Sequence, residues 1–209
     1  MPRILFSEAS EITGRVKRHF FLALMAVFAL QACVTPLATE KVEATEQIFA
    51  TVEPFYSWVL AHGSVSFPSE KERSELADFL VPELIQLMKD AEEMQSRCVK
   101  AAAEGDKPMI FEGALLVGNY EGATEVAYEE PRMSKQVQDT VILPAILTYI
   151  NEYFQKANRF RAVSWNDDLE LQRKERKWFI GNIKFPHETN LRSILQNYIN
   201  TAHRECIVP

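Results

Sequence analysis

Trp165-Asn-Asp-Asp-Leu-Glu-Leu171 and Trp178-Phe-Ile-Gly-Asn-Ile183, joined through the charged run Arg173-Lys-Glu-Arg176, predict a β-hairpin. Both stretches are rich in aromatic and β-branched residues, and the charged run between them is typical of a turn. We therefore predict strands over residues 160–172 and 177–185. Because successive strand residues point to opposite faces, Asp167 and Asp168 cannot form one catalytic pair.

Further strands are predicted upstream of the hairpin. Turn-forming residues break up a β-branched and aromatic region after residue 105 and leave candidate strands near 109–117 and 123–129. Residues 141–153 fit either a helix or a strand, and the alternation of Val141, Leu143 and Ala145 favours a strand. Pro144 within it implies an edge strand or a bulge, because proline cannot donate to a sheet.

Helices precede these strands and one follows them. Ile48, Val52, Phe55 and Val59 recur at helical spacing and predict a helix over 43–61, which Pro54 should kink or divide. Ser69 and Glu72 match a capping box that opens a short helix to about residue 79. Two further helices are predicted, one over 82–103 with Pro82 in its first turn and one from Leu191 onward, capped by Thr189 or Asn190.

Composition limits the classes of function. The chain has 209 residues, 47% of them hydrophobic, which is enough for one packed core. Its net charge of −6 argues against a nucleic-acid partner, because phosphate binding needs a basic surface.

The N-terminal region is typical of an export signal. Arg3, Arg15, Lys17 and Arg18 precede the uncharged run 20–30. A helix over that run is roughly 16 Å long, about half of a ~30 Å hydrocarbon core, so the run is a poor membrane span. Residues 20–39 also lack charge, and an uncleaved anchor remains the alternative.

The run closes on Leu30-Gln-Ala-Cys33, which resembles the lipobox of bacterial lipoproteins. The resemblance implies a signal peptide over 1–32, removed before a Cys33 that is acylated on sulfur and nitrogen, followed by a tether over 33–42 and one domain over 43–209. Two or three acyl chains hold a protein stably at a bilayer. We therefore expect a membrane-anchored protein that faces the periplasm, and Val34 after the cysteine favours the outer membrane.

Two cysteines remain if Cys33 is lipidated. In an oxidising periplasm Cys98 and Cys206 make one possible disulfide. The alternative is that Cys98 is a small core residue on the face of its helix. Neither thiol has a further cysteine or a pair of histidines at ligand spacing, so no metal site is expected.

The order of helices and strands resembles the cone-shaped fold of nuclear transport factor 2, and more narrowly a bacterial family of periplasmic proteins and lipoproteins of unknown function. The resemblance covers most of residues 43–200 and lies in Phe55-Tyr56, Phe111-Glu112, Tyr120-Glu-Gly-Ala123, the Trp165 and Trp178 strands and Leu191. It implies an α+β fold in which N-terminal helices pack on a curved antiparallel sheet with a C-terminal helix. Gly181-Asn182 stands where relatives usually have a second acidic residue.

Asp167 is the one candidate for catalysis. If Trp165 faces inward, Asp167 and Leu169 do so too, and a desolvated Asp167 with a raised pKa would suit a general base. The alternative is a structural carboxylate bonded to a nearby amide. The chain contains no nucleophile elbow, phosphate loop or dinucleotide fingerprint, and we expect a protein that is not an enzyme and needs no cofactor. A small hydrolase or isomerase using Asp167 is the alternative.

Binding is therefore the expected function, with a small ligand or an unidentified protein as partner. Candidate cavity residues are the aromatic Phe55, Tyr56, Trp58, Trp165 and Trp178, which would otherwise belong to the core. The basic cluster Arg173, Lys174, Arg176 and Lys177 is either a solvated hairpin tip or a contact to lipid or cell wall. His62, His187 and His203 match no motif. By analogy with exported proteins of similar size, one version of the binding role is an immunity factor that neutralises a secreted toxin.

Overall fold

The computed structural model describes residues 36–133, 140–151 and 162–206. The predictions made for residues 1–32 and Cys33 lie outside this part of the chain. Contacts divide the chain into two compact units, residues 1–44 and 45–209. Of the first unit the structure describes only residues 36–44, which are helical.

The described helices match the predicted ones in number and order. They are α1 (Pro36–His62), α2 (Glu70–Leu76), α3 (Pro82–Ala101) and α4 (Leu191–Cys206), and a short 3₁₀ helix, Pro186–Glu188, precedes α4. The capping box at Ser69 and Glu72 is present, and Pro82 occupies the first turn of α3. Asn190, rather than Thr189, caps α4, since its side-chain oxygen accepts the Ser193 N–H at 3.0 Å.

Helix α1 differs from its prediction in two ways. It begins at Pro36, seven residues before the predicted start at 43, and it is not divided at Pro54. Proline suits a helix start because its missing N–H would be unbonded there in any case. Pro54 is exposed, so the lost hydrogen bond falls on the solvent side of the helix, while the predicted apolar face is buried.

The sheet is antiparallel throughout. Its strands are β1 (Glu125–Tyr128), β2 (Arg132–Met133), β3 (Thr140–Ile150), β4 (Ala162–Lys174) and β5 (Lys177–Lys184). The strand order is β1-β3-β4-β5, with β2 also paired to β3. The α+β class is thus confirmed, and so is the hairpin from residue 162 onward, with Glu175 and Arg176 as the turn; residues 160 and 161 of the predicted strand lie outside the described part of the chain.

Pro144 lies inside β3 where the ladder on one side is interrupted. Its carbonyl accepts the N–H of Glu129 at 3.0 Å, in the gap between β1 and β2. The missing proline N–H therefore faces a break between two short strands and removes no regular ladder bond. The strand assignment of residues 141–150 is confirmed. Pro144 implied an edge strand or a bulge, and the structure has instead a gap between β1 and β2 opposite the proline.

A β-bulge bends β5 at Gly181. Leu171 pairs with Ile180 and Glu170 with Asn182, which leaves Gly181 as the extra residue. The outer edge of β5 is covered by residues 79–81, because Ile180 exchanges backbone hydrogen bonds with Phe79 and Val81. That cover protects the edge from pairing with another chain.

The strand predicted over 109–117 is wrong. Its backbone groups bond to separate partners: Phe111 N–H to the Gln95 side chain, Leu115 N–H to Val65 and Ala114 N–H to Tyr120. Gly113 adopts a φ of +90°, a left-handed conformation that a regular strand does not contain. The segment is an irregular loop that crosses the end of the sheet, and we call residues 111–120 the cleft loop.

The disulfide between Cys98 and Cys206 is confirmed, with Cα atoms 4.9 Å apart. It joins the C-terminal turns of α3 and α4, so Cys206 belongs to helix α4 and not to a loose tail. The core beneath the helices comes from the inner face of the sheet. It is formed by Leu143, Ala145, Leu147, Leu169, Leu171, Ile180 and Ile183.

Candidate functional site

An open cleft of about 500 Å³ lies between the cleft loop, the start of β4 and the 3₁₀ helix. We call it the aromatic cleft, because four aromatic rings belong to its wall. Its lining consists of Phe111, Glu112, Gly113, Ala114, Leu115, Val117, Gly118, Asn119, Tyr120, Val163, Trp165, Phe185, Pro186, His187, Thr189 and Ile194. A volume of this size is within the usual range for small-molecule sites, and a mostly apolar wall is typical of them.

The rim of the aromatic cleft exposes apolar side chains. Tyr120 is 61% exposed and Val163 is 53% exposed, although both are large hydrophobic residues. The Tyr120 ring packs directly over Gly113, where an added Cβ would lie 2.6 Å from the ring. The glycine therefore lets the ring approach the backbone and fixes the ring on the rim.

Asp167 lies directly behind the wall of the aromatic cleft. Its side chain is 0% exposed, and Oδ2 accepts the backbone N–H of Gly118 at 3.0 Å. A Cβ on Gly118 would be 2.6 Å from Asp167 Oδ1 and 2.6 Å from Pro186 Cδ. Asp167 thus holds the cleft loop against the sheet through a residue that has to be glycine.

Burial changes the acidity of this carboxyl. Desolvation raises the pKa of Asp167 from its ordinary 3.8 to about 7, against the lowering effect of the Gly118 N–H and of the Trp165 indole, while Asp168 raises it further. The Trp165 N–H lowers the pKa without the geometry of a regular hydrogen bond. Within the described part of the chain, Trp165 Nε1 and Asp167 Oδ1 have no regular hydrogen-bond partner. The predicted inward orientation and raised pKa of Asp167 are therefore present.

Tyr56 completes the buried polar cluster. Its ring is fully buried, and its hydroxyl has no hydrogen-bond partner within the described residues. Burial first, and then the charges of Asp167 and Tyr128, raise the pKa of Tyr56 well above its ordinary value. The phenol therefore stays neutral and adds no charge beside Asp167.

Asp168 faces the opposite side of the sheet. Its Oδ2 is 3.2 Å from Arg132 Nη2, and the neighbouring Lys184 and Glu170 form a second ion pair at 2.7 Å. Arg132, Asp168 and Lys184 line a polar groove of about 640 Å³ together with Glu129, Pro144, Asn166, Phe185, Glu188, Thr189 and Asn190. Two cations, Arg132 and Lys184, lie among three carboxylates, Glu129, Asp168 and Glu188, and each cation is held in an ion pair.

The structure does not bring the predicted cavity aromatics together in one cleft. Only Trp165 lines the aromatic cleft, whereas Phe55, Tyr56 and Trp178 are core residues. Trp58 donates its indole N–H to Glu75 at 2.8 Å and stacks on His62. The alternative that most of these rings belong to the core is the one that the geometry supports.

The remaining candidates are spread over the surface. His187 lies on the rim of the aromatic cleft, and His62 and His203 are exposed on other elements. At the hairpin tip Lys174 pairs with Glu83 at 3.1 Å and Lys177 lies 3.9 Å from Asp78.

The described residues contain no group of three metal-ligating side chains. Within the same residues, none of the helices has the length and apolar character needed to cross a bilayer.

Sequence reasoning missed several parts of the aromatic cleft. Gly118, Phe185 and Pro186 belong to its wall, and none of them was a candidate. The available signal is the spacing of Gly113 and Gly118 among aromatic residues. From the sequence alone, these glycines are expected in turns between strands.

Comparison with protein-family models, curated proteins and solved structures finds no match to this chain.

Proposed function

We propose that this protein is a lipid-anchored protein of the bacterial cell envelope whose domain binds a small ligand in the aromatic cleft without catalysing a reaction. The observation that supports the binding role is the cleft itself, with Trp165 in its wall and an exposed apolar rim at Tyr120 and Val163. Contiguous exposed apolar surface next to a cleft is typical of a ligand-binding site.

The membrane anchor is supported by the sequence Leu30-Gln-Ala-Cys33 and the basic and apolar segments before it. The disulfide pair at Cys98 and Cys206 is consistent with an oxidising compartment such as the periplasm. The sequence at Val34 favours the outer membrane.

The anchor is tested by metabolic labelling with an alkyne fatty acid. Wild type and a Cys98→Ser/Cys206→Ser double variant should both be labelled, because neither change touches the acylated cysteine. Cys33→Ser should lose the label completely. Equal labelling of Cys33→Ser and wild type would overturn the anchor.

The finer assignment of the fold, a cone of the nuclear transport factor 2 type, belongs to this proposal. It is supported by the order of elements, three helices before an antiparallel sheet and one after it, and by the bulge at Gly181 that bends β5.

A catalytic role for Asp167 is the second candidate, and its pKa near 7 favours it. The position of the side chain opposes it, because the carboxyl is completely buried behind Gly118 and Trp165. A general base has to reach the proton that it removes. We therefore assign Asp167 the role of holding the cleft loop.

The binding role is tested by the indole signals of the full chain labelled with ¹⁵N-tryptophan. Three tryptophans give three signals, and Trp165→Phe identifies the one that belongs to the aromatic cleft. The neutral probe 3,3-dimethylbutan-1-ol should shift the Trp165 signal and leave the signals of Trp58 and Trp178 in place. A Trp165 signal that does not move during the titration would overturn the binding role.

Asp167→Asn tests whether binding depends on the charge of this carboxyl. Asp167→Asn keeps an oxygen that can accept the Gly118 N–H, so the probe should still shift the Trp165 signal.

A secreted toxin added in place of the probe tests the immunity version of the proposal. A protein partner of that kind would cover the exposed Tyr120 and Val163 as well as the cleft.

A further inference from the structure

We infer that the ligand of the aromatic cleft is a small organic cation, a quaternary or tertiary ammonium group on an apolar body. This inference rests on the proposed binding role and names the chemical class of the ligand. Two independent properties of the cleft wall lead to it, its charge and its rings.

The charge of the wall has one sign. Glu112 is the one carboxylate among the described residues that line the cleft, and that lining includes neither lysine nor arginine. Asp167 lies immediately behind the wall, bonded to Gly118, and adds negative potential when it is ionised. An anion would therefore find no lysine or arginine among the described lining residues, whereas a cation that displaces Lys107 would find the Glu112 carboxylate.

The rings supply the second property. Phe111, Tyr120, Trp165 and Phe185 belong to the same wall, and a cation over an aromatic face is attracted by the quadrupole of the ring. Aromatic rings that surround a site with a carboxylate nearby are the usual means of recognising quaternary ammonium groups. Tyr120 is the exposed member, Trp165 and Phe111 are half-buried, and Phe185 is buried.

Lys107 marks the place where a cation is held already. Its Nζ is 3.0 Å from Glu112 Oε1, and both side chains are exposed. A surface pair of this kind contributes little free energy, so an incoming ammonium group displaces the lysine at small cost. A quaternary ammonium group has no N–H to hydrogen-bond, and it therefore gains relatively more from the rings than Lys107 does.

The test compares choline with 3,3-dimethylbutan-1-ol, its neutral isostere, by titration of the Trp165 indole signal at about pH 8, above the pKa of about 7 of Asp167. We expect choline to bind at least ~5-fold more tightly than the alcohol, the ratio that one exposed cation–π contact supplies. Equal affinities would overturn the inference and leave the binding role in place. No shift with either probe would overturn both.

Matched variants locate the effect. Glu112→Gln should reduce the preference for choline to below ~2-fold without changing the affinity for the alcohol, while Glu121→Gln, a carboxylate of the same loop region outside the lining, should keep the preference. Tyr120→Leu should weaken choline binding ~3- to 10-fold, and Tyr120→Phe should not. A choline preference that persists in Glu112→Gln and Tyr120→Leu would overturn the inference.

The source of the cation is resolved with vesicles. Phosphatidylcholine vesicles that shift the Trp165 signal in wild type but not in Tyr120→Leu support a lipid headgroup as ligand. Vesicles that leave the signal unchanged, together with binding of free choline, support a soluble molecule. Phosphatidylglycerol vesicles are the control, and a shift with these anionic vesicles that equals the shift with phosphatidylcholine would overturn a cation site.

Discussion

The two faces of the sheet at residues 167 and 168 show how differently one side-chain type behaves a single residue apart. Asp167 is fully buried, holds the Gly118 N–H and has a pKa raised to about 7. Asp168 faces the polar groove, where Arg132 pairs with it at 3.2 Å in partial contact with water. Because side chains alternate along β4, the Asp167 carboxylate points to the buried face of the sheet and the Asp168 carboxylate to the face in contact with solvent.

The two carboxylates therefore have different roles. A desolvated carboxyl changes its protonation near neutral pH and controls the backbone that it holds, whereas a solvated ion pair contributes little to stability. The aromatic cleft is therefore built on the residue of the pair that water does not reach. Four predictions test this contrast between the two faces of the sheet.

The largest effect is expected from pH. The pKa of Asp167 is higher in the folded chain than its ordinary 3.8, so the carboxyl stabilises the fold at low pH and that contribution is lost as the pH rises toward about 7. The free energy of unfolding of wild type, relative to that of Asp167→Asn, should fall by ~4 kcal/mol across this interval. Chemical denaturation at a series of pH values measures it. Asp168→Asn is the control, and an equal pH dependence in both variants would contradict the contrast between the faces.

The next largest effect is expected at Gly118. Gly118→Ala places a methyl group 2.6 Å from both Asp167 Oδ1 and Pro186 Cδ, so the cleft loop has to move off the sheet. We expect a loss of about 2–3 kcal/mol in the free energy of unfolding, as for other overpacked sites, together with a shift of the Trp165 indole signal. A variant with wild-type stability and an unmoved signal would show that the loop does not depend on Asp167.

How far the sequence predicted this region depends on the range of the interactions. The α+β order, the hairpin, the capping box at Ser69 and the inward orientation of Asp167 follow from local pattern and from the alternation of strands. The cleft loop does not, because Phe111 bonds to Gln95 and Leu115 to Val65, partners that the local pattern does not reveal.

The aromatic residues illustrate the same limit. Periodicity identifies Phe55, Tyr56 and Trp178 as apolar face residues, but it does not distinguish a buried ring from a ring in a cleft wall. The difference depends on what crosses the end of the sheet, here the cleft loop and the 3₁₀ helix. Phe185 and Pro186 join the cleft for that reason, although nothing in their local sequence indicates it.

A smaller effect of opposite sign is expected at Tyr56. Its hydroxyl is buried beside Asp167 without a hydrogen-bond partner within the described residues, and such a group costs free energy. Tyr56→Phe should raise the free energy of unfolding by about 1 kcal/mol in thermal or chemical denaturation. Phe55→Leu, in the same helix, is the comparison that should lose stability. A destabilised Tyr56→Phe would show that the hydroxyl has a partner in solution.

The smallest effect is expected on the solvated face. Arg132→Gln removes the partner of Asp168 from an ion pair whose two side chains are 58% and 33% exposed. The free energy of unfolding should change by less than ~1 kcal/mol, and the change should shrink further in high salt. A loss as large as that of Gly118→Ala would mean that the two faces of the sheet do not differ in the way described.

The bond between Cys98 and Cys206 has a consequence for the order of events during synthesis. The two cysteines are 108 residues apart, and all five strands of the sheet, β1 to β5, lie between them. A growing chain is made from its N-terminus. Cys98 therefore has no partner until all five strands and the last described helix, which contains Cys206, have been synthesised. The bond can therefore close only after every strand of the described sheet has been made, and a thiol reagent that is present before it closes should trap chains whose two helix ends are still unjoined.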